Sequence, residues 1–539
     1  MPDLDSGYGL QPRAYSQIRG ALRRVCVVPR TYAFVSTLRQ GHWLAVSILF
    51  AVLLAMSQSA IWIGAAVNGG REISAQRGRT PESRDLRIDP DVIDAFIIDN
   101  MRRTGVPGVA LAVVKNERVT YTAGYGVTAS GRAIDPATPM FMASLSKSVT
   151  AAAVMQLIEA GKLTLTTPLL QALPLLHFDD ERVATITVKQ LLNQSSGINC
   201  SDVAVVAASE QHSLADALTR MTDIRLVAAP GSRWSYCNAN YHLLAVVVER
   251  ISGESFDAYL QRAILAPLGM SHTTSLVHLR DGNEPAGHTL SYGYALAHQN
   301  PNELSIGGSG LVSTADDIAK WLAVQLQLPR LESGDPIIGL SRDSIVAMHT
   351  PSAPNSNYGY GWRAESMLDG REYVFHSGRI IAHSSHAALY PSTGYGYAIL
   401  WNSLHPLGAE QRSFIEGMNQ LLAGQSPTLG RPVGRIVDGM LAVFTVLWAT
   451  IGIVGALGAR RWVAEARVEP VRRVMSMAAY TLVALGVLLL PLWSPLLIDQ
   501  RLSIWRLFEM WPAVGILLAT TGLASGVIVA LRAKAMLKA

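Results

Sequence analysis

Ser144-Leu145-Ser146-Lys147 leads directly into a helix-forming run, Ser148-Val149-Thr150-Ala151-Ala152-Ala153-Val154-Met155. Residues three apart share one face of a helix, so the amine of Lys147 can reach the hydroxyl of Ser144. A neutral amine in that position can take the hydroxyl proton and activate an otherwise weak nucleophile. The free N–H groups at a helix start also stabilise the anion that forms during acyl transfer. Because Ser-x-x-Lys is a common pattern, its alternative interpretation is a capped helix with a solvated lysine.

Two further motifs follow along the chain. Tyr236-Cys237-Asn238 comes after a Pro-Gly turn and before an apolar helical run, and His376-Ser377-Gly378 lies between two strand-like runs. The order Ser-x-x-Lys, Tyr-x-Asn, His-x-Gly resembles the penicillin-recognising serine hydrolases, in particular the branch of class C β-lactamases, D,D-peptidases, D-aminopeptidases and related esterases. Other signatures of this family are matched by the segments 186–198, 267–270 and 307–317.

The residues from about Asp89 to about Leu422 carry this likeness, and the region 89–423 is the predicted hydrolase domain. Strand-like segments at both of its ends enclose a mostly helical middle, which predicts an α+β fold. The predicted elements are a helix from Pro90 to about Arg103 capped by Asp89, strands at 109–114 and 118–125, a helix at 146–160, strands within 372–402, and a last helix at 410–422. The resemblance implies the same α/β (α+β) sandwich, with an antiparallel sheet, an inserted all-helical domain and an active site in the cleft between them.

The resemblance also implies catalytic roles. Ser144 would be the nucleophile, Lys147 and Tyr236 would share proton transfer, and Asn238 would hold the substrate amide and bond to Lys147. For Tyr236 to act as a base, we expect nearby cations or a helix terminus to lower the pKa of its hydroxyl. The alternative for Tyr236 is a core tyrosine bonded to the backbone.

The third motif departs from the Lys-Thr-Gly pattern of true β-lactamases and carboxypeptidases. A lysine there attracts a substrate carboxylate, whereas His376 is largely neutral at pH 7, which favours the amidase and esterase members; the alternative is a surface histidine. Gly378 would let the substrate backbone lie against the strand. The oxyanion hole would be the backbone N–H groups of Ser144 and Arg379. The Arg379 side chain is either a contact for anionic substrates or an exposed arginine without a role.

The composition predicts a membrane component, because 49% of the 539 residues are hydrophobic and only 16% are charged. An apolar run at 44–67 is long enough to span a bilayer, and arginines precede it in the predicted cytoplasmic segment 1–43. That charge bias keeps the N-terminus inside and exports the chain that comes after the run. The alternative is a cleaved signal peptide, since small residues occur at 57–60. The Gly- and Arg-rich segment 68–88 is a predicted linker.

Three more predicted spans follow the hydrolase domain, at 433–457, 474–498 and 511–531. Arginines between the first two spans and basic residues after the last place that loop and the C-terminus inside. The sequence therefore predicts a multi-pass protein of the inner (cytoplasmic) membrane, in contact with lipid, with its catalytic domain on the periplasmic side. The alternative is that these runs are buried helices of a soluble fold.

The charge pattern argues against nucleic acid as a partner, because the formal net charge is only +5 and no basic cluster is interleaved with aromatics. No metal-ligand spacing and no phosphate-binding loop occurs in the sequence, so neither a metal nor a cofactor is predicted. The expected partners are a small-molecule or peptide substrate and membrane lipid, and no oligomeric state is predicted.

A hydrolase domain followed by C-terminal spans resembles the layout of colibactin-type prodrug-activating peptidases, which remove an N-acyl-D-asparagine cap in the periplasm. This likeness implies an exported, membrane-anchored serine peptidase or amidase that works through an acyl-enzyme and removes an N-acyl-D-Asn-type cap from a nonribosomal peptide product. Two alternatives stay open. One is a β-lactamase, D,D-carboxypeptidase or esterase of the same family, and the other is a catalytically silent cell-wall sensor.

The chain has 3 cysteines, and the predicted topology places Cys26 on the reducing side and the other two on the oxidising side. Cys237 adjoins Tyr236, and Cys200 follows a loop that in this family borders the same cleft. We expect a Cys200–Cys237 disulfide at the Tyr236 side of the site. The alternative is two independent buried thiols.

Overall fold

The computed structural model describes residues 73–78, 88–174, 176, 180–200, 225–279, 285–298, 306–326, 338–367, 370–465, 470–490, 492 and 504–538. The predicted segment 1–43, the predicted span 44–67 and most of the predicted linker 68–88 lie outside the described residues.

An antiparallel sheet of seven strands forms the centre of the hydrolase domain, in the order β1-β3-β2-β12-β11-β10-β9. Its strands are β1 Ala75–Arg77, β2 Gly108–Lys115, β3 Arg118–Gly126, β9 Arg363–Ser366, β10 Glu372–Ile380, β11 His383–Tyr390 and β12 Tyr395–Trp401. The predicted strands at 109–114 and 118–125 are confirmed as β2 and β3, which pair antiparallel with Asn116 at φ 54° in the turn between them. Asparagine tolerates this left-handed conformation better than most residues do.

Both faces of the sheet are buried, and the side chains of each strand alternate between two cores. On β2, Ala110, Ala112 and Val114 enter one core. The residues between them, such as Leu111 and Val113, enter the other. This period of two is what a strand imposes on its side chains, and burial on both faces explains the continuous apolar run of the strand.

Helices cover the two faces. The helices Pro90–Thr104 and Ala409–Leu422 pack on one face, where the rings of Phe96 and Phe414 lie 6.4 Å apart. The other face carries the helix Ser146–Glu159 and the rest of the helical layer. Among the described residues, the other helices of this domain are Leu169–Ala172, Val188–Leu192, Asn238–Ser252, Phe256–Leu260, Ile306–Ser309, Ala315–Gln325 and Arg342–His349, with short 3-10 turns at Ala143–Leu145, Glu181–Thr185 and Leu276–Leu279 and a π turn at Gln261–Leu265. The predicted fold class is confirmed.

The hydrolase domain also contains short strands that no sequence pattern indicates. β4 Met140–Phe141, β5 Thr274–Ser275 and β8 Leu311–Ser313 form one small sheet, and β6 Gly287–Ser291, β7 Tyr294–His298 and β13 Ser403–Leu404 form another. Four of these strands have only two or three residues, which is too short to show an alternating pattern, so their sequences carry no strand signal.

The C-terminal region is helical, with helices at Val433–Leu457, Ala459–Glu465, Pro470–Leu488, Ile504–Met510 and Pro512–Leu537. Two of these, Val433–Leu457 and Pro512–Leu537, are long and apolar enough to cross a membrane. The apolar part of the third, Val474–Leu488, is shorter, and the predicted span 474–498 is described only at 474–490 and 492. Leu457 and Leu523 are 82% and 71% exposed, which is the pattern of helices that contact lipid or a further apolar partner.

Candidate active site

Ser144 lies in the 3-10 turn Ala143–Leu145, directly before the buried helix Ser146–Glu159. Ala143 has φ 47°, a conformation that is costly for a residue with a Cβ atom. The surrounding contacts fix this turn, because Ser146 Oγ donates to the Ala143 carbonyl at 2.7 Å and the Met142 N–H donates to the Leu311 carbonyl at 2.8 Å. The turn therefore holds the Ser144 hydroxyl at the start of a helix, as the Ser-x-x-Lys spacing predicts.

Lys147 is fully buried, and its amine lies at the centre of the site. Its Nζ is 3.1 Å from Ser144 Oγ and 2.7 Å from both Asn238 Oδ1 and the Gly308 carbonyl oxygen. Burial lowers the pKa of the Lys147 amine well below its ordinary value. A neutral amine has two N–H groups, which Asn238 and Gly308 accept, and one lone pair, which then faces the Ser144 hydroxyl. The alternative of a solvated lysine is wrong.

Tyr236 completes this cluster, because its phenol lies close enough to the Ser144 side chain for that contact to lower the pKa of Tyr236. Its ring centroid lies 4.8 Å from Lys147 Nζ. Burial raises the pKa of Tyr236 to about 12, and the opposing effects of the Ser144 contact and the Arg363 charge are smaller. The expectation of a lowered Tyr236 pKa is therefore wrong, because desolvation of the phenolate outweighs the nearby cation. Of these two groups, Lys147 has the pKa of a base and Tyr236 that of a proton donor.

The motif that contains Tyr236 is held from both sides. Cys237 directly precedes the helix Asn238–Ser252, and its N–H donates to Gln194 Oε1 at 2.9 Å. The expected Cys200–Cys237 disulfide is confirmed, with a Cα–Cα distance of 5.3 Å. The bridge ties the loop that ends at Cys200 to the residue between Tyr236 and Asn238.

His376 is only 3% exposed, so the alternative of a surface histidine is wrong. Its Nδ1–H donates to the Ser377 carbonyl at 2.9 Å, and its Nε2 accepts from the Tyr358 hydroxyl at 3.1 Å. Nε2 accepts in this way because the ring is neutral. Burial, with a smaller effect of the Arg363 charge, lowers the pKa of His376 to about 3. His376 therefore presents no positive charge at neutral pH, as expected from the sequence.

Gly378 lies against the backbone of the Ser144 turn. A Cβ atom at this position would lie 2.5 Å from the Met142 carbonyl oxygen and 2.8 Å from the Ser144 amide nitrogen. Strand β9 pairs with β10 only over Glu372–Phe375. The part of β10 beyond it, which includes Gly378, therefore lies beside Ser144 with no strand on its outer edge within the described residues.

The Arg379 side chain is neither a contact for anionic substrates nor an arginine without a role, because it binds a neighbouring turn. Its guanidinium donates to the carbonyls of His405 and Pro406, at 3.2 and 2.7 Å. These contacts fix the segment after β13 to strand β10. The Arg379 backbone N–H, which is the group predicted for the oxyanion hole, follows Gly378 on the same strand.

Arg363, the first residue of β9, is a site residue that no sequence motif indicates. Its guanidinium carbon lies 5.1 Å from the Trp234 ring centroid and 5.4 Å from that of Tyr358. Its Nη1 donates to Asn357 Oδ1 at 2.9 Å. The charge of Arg363 lowers the pKa of both Tyr236 and His376, although burial has the larger effect on each. No motif spacing points to Arg363, because the fold alone brings it to the site.

The arrangement joins a serine hydroxyl, a neutral amine and a protonated phenol beside a strand edge. These groups suit nucleophilic attack on a carbonyl carbon, followed by proton delivery to a leaving group. Within the described residues, no group of three or more His, Cys, Asp or Glu side chains is placed to hold a metal ion.

The chain is similar to several known proteins. Protein flp of Staphylococcus aureus (strain N315) is 28% identical over 325 residues, which cover 58% of this chain and 62% of that protein. Unguisins hydrolase ungD of Aspergillus violaceofuscus (strain CBS 115571) is 25% identical over 375 residues, which cover 61% of this chain and 64% of that protein. The chain thus spans less than two thirds of the length of these curated relatives.

The fold has a counterpart among solved structures. The octameric penicillin-binding protein homologue from Pyrococcus abyssi superposes with a TM-score of 0.54 and 26% identity, covering 64% of this chain and 80% of that one. The family model described as beta-lactamase matches residues 93–417, which is more than half of the chain. With the three motifs gathered around Ser144, these matches show that the chain belongs to the β-lactamase family.

Proposed function

We propose that the chain is a serine hydrolase that cleaves an amide bond through an acyl-enzyme on Ser144. The observation that carries this proposal is the position of Lys147, whose desolvated amine lies 3.1 Å from Ser144 Oγ while two acceptors take its N–H groups. The amine takes the proton of Ser144, and the freed oxygen attacks the substrate carbonyl carbon. The oxyanion that forms accepts hydrogen bonds from the backbone N–H groups of Ser144 and Arg379.

The second half of the reaction releases the amine product. Tyr236 donates its proton to the leaving nitrogen as the carbon–nitrogen bond breaks, and the proton held on Lys147 returns to the phenolate. A water molecule then attacks the Ser144 ester and gives its proton to Lys147. The ester bond breaks, the Ser144 oxygen recovers that proton, and the acid product leaves. Asn238 supports both halves because its amide oxygen keeps one N–H of Lys147 occupied.

The narrower substrate proposal is a D-amino-acid-specific peptidase that removes an N-acyl-D-Asn-type cap from a nonribosomal peptide product, outside the cytoplasm. Three observations support it. The hydrolase domain is followed by two helices long and apolar enough to span a membrane, and one relative carries the name of a hydrolase of unguisins. Neutral His376 fits an amide substrate without a carboxylate at that position.

The substrate test uses the purified full chain and matched N-acyl-D-Asn and N-acyl-L-Asn amides, with products identified by mass spectrometry. We expect cleavage of the D series only, and none with Ser144→Ala. Cleavage of both series at equal rates would contradict the stereospecific proposal, while labelling of Ser144 by a fluorophosphonate would still support the hydrolase.

The topology test uses a reporter that is active only outside the cytoplasm. We expect activity when it follows Gly424, and none when it lies in the loop 460–473 or follows Lys538. An active reporter after Lys538, or a silent one after Gly424, would contradict the proposed periplasmic location of the hydrolase domain.

Arg363 favours a second candidate, a D,D-carboxypeptidase or β-lactamase that recognises a substrate carboxylate. Its guanidinium lies against Trp234 and Tyr358 and supplies the permanent charge that His376 lacks. The test compares acyl-D-Ala-D-Ala with its C-terminal amide, and adds nitrocefin. If this candidate holds, Arg363→Met lowers kcat/KM for the carboxylate about 10- to 100-fold, as expected for one lost charge-assisted contact, and leaves the amide unchanged. Equal kcat/KM values for the acid and the amide in the wild type would exclude it.

A further inference from the structure

A buried carboxylate joins the first long C-terminal helix, Val433–Leu457, to the hydrolase domain. Asp438 is only 1% exposed, and its carboxylate accepts from the Tyr292 backbone N–H at 2.7 Å and from the Trp511 indole N–H at 2.8 Å. Its Oδ1 also lies 3.5 Å from His405 Nε2. A buried charge is tolerated only when such partners surround it, so these contacts fix the helix against the domain.

A second carboxylate faces the same histidine. Glu410 is 1% exposed, accepts from the Gly434 N–H at 2.8 Å, and has Oε2 3.8 Å from His405 Nδ1. A cavity of about 10 Å³ lies between these groups and Arg435, which is room for about one water. His405 therefore lies between a carboxylate of the hydrolase domain and one of the apolar helix.

The backbone of residues 405–408 is connected to the active site through Arg379. The carbonyls of His405 and Pro406 accept from the Arg379 guanidinium. At Gly408, with φ 62°, a Cβ atom would lie 2.8 Å from Arg379 Nη2, so the guanidinium packs directly on this turn. Arg379 follows Gly378, which lies against the Ser144 amide nitrogen. The contacts thus run without a gap from Asp438 through His405 and Arg379 to the strand beside Ser144.

We propose that Asp438 is a positioning residue for the reaction at Ser144. By lying 3.5 Å from the His405 ring and accepting from Trp511, which packs on that ring, it braces the turn that anchors Arg379 and so keeps the Arg379 N–H directed at the oxyanion. This inference rests on the proposed hydrolase function. Its physical basis is that small displacements of an oxyanion donor have large effects on rate.

The test uses the full chain in detergent micelles, with Asp438→Asn, which keeps the shape of the side chain and removes its charge. Met440→Ala is the matched control, because Met440 lies on the same helix and is 51% exposed. The readouts are the rate at which a fluorophosphonate labels Ser144, kcat and KM for p-nitrophenyl acetate, and Tm. We expect Asp438→Asn to lower kcat and the labelling rate about 3- to 30-fold with KM unchanged, as is typical of coupling through a contact network. The control should match the wild type.

A double-mutant cycle separates positioning from general stability. If Asp438 acts through Arg379, then adding Asp438→Asn to Arg379→Ala causes little further loss of kcat. Additive losses, or a variant with lowered Tm and wild-type kcat, would overturn the proposal. If the Asp438→Asn protein does not accumulate, Trp511→Phe takes its place, because it removes one hydrogen-bond donor to Asp438 and keeps an aromatic ring there. The same kcat, KM, labelling-rate and Tm comparisons then apply. Failure of the wild type to be labelled would instead refute the hydrolase function itself.

Discussion

Asn238→Asp is the sharpest test of the idea that Lys147 is the base. The substitution keeps the size of the side chain and places a negative charge at the atom that now lies 2.7 Å from Lys147 Nζ. At that distance two unit charges attract by about 6 kcal/mol with an effective dielectric constant of about 20. Part of this energy is offset by the desolvation of the new carboxylate, and pairs of this kind shift a pKa by about 1 to 3 units.

The sign of the effect depends on which form is active. Burial lowers the pKa of Lys147, so the wild type keeps the neutral amine, and its activity falls only as the pH drops through that lowered pKa. A carboxylate at position 238 favours the ammonium form and raises the pKa. The acid limb of the kcat/KM profile should therefore move to higher pH by about 1 to 3 pH units. At a fixed pH on that limb, the variant then has a kcat/KM about 10- to 1000-fold below that of the wild type. Activity should recover at higher pH.

The assay is a full pH profile of kcat/KM with p-nitrophenyl acetate, and Asn238→Ala is the control. The alanine variant removes the same amide without adding charge, so it should lower the plateau without moving the limb upward. An Asn238→Asp profile with its limb in the wild-type position, or an equal loss at every pH, would refute the assignment of Lys147 as the base.

Three further predictions concern neighbouring groups. Ser144→Ala should lower turnover on the order of 10⁴-fold or more with the Tm retained, and near-wild-type turnover would disprove the nucleophile. Gly378→Ala should lower kcat roughly 100-fold, because its Cβ would lie 2.8 Å from the Ser144 amide nitrogen. An unchanged kcat would show that the reaction does not need the close approach of β10 to the Ser144 turn. Loss of the disulfide, by Cys200→Ser, by Cys237→Ser or by reduction of the wild type, should lower the free energy of unfolding by about 4 kcal/mol, as expected for a bridge that spans 37 residues. Urea denaturation measures this, and equal urea midpoints with and without the bridge would contradict the prediction.

The parts of the fold with local signals were predictable. Asp89 before Pro90 marks a helix start, and Asp89 accepts from the Asp91 N–H at the start of the helix Pro90–Thr104. The spacing of Ser144 and Lys147 placed both on one turn because helical geometry alone brings such residues together. These features depend on residues close in sequence, and a pattern of that kind is visible without the fold.

The parts that depend on burial or on distant contacts were not predictable. The pKa of Tyr236 rises instead of falling because the fold removes its hydroxyl from water, and a sequence motif does not record that. Arg363 and Tyr236 are far apart in the chain and interact only because strand β9 begins beside the Tyr236 turn. The Arg379 side chain binds a turn that follows β13, which no spacing in its own motif indicates.

Burial also decides which group the pH profile reports. His376 and Lys147 are both desolvated, which favours the neutral form of each, and the pKa of His376 is lowered to about 3. Between pH 5 and 8, where an ordinary histidine titrates, His376 therefore does not change its charge. An acid limb in that range therefore does not come from His376, and Arg363 supplies a fixed positive charge beside the site at every such pH. Replacing His376 with glutamine should for this reason leave the position of the limb unchanged, whereas Asn238→Asp moves it.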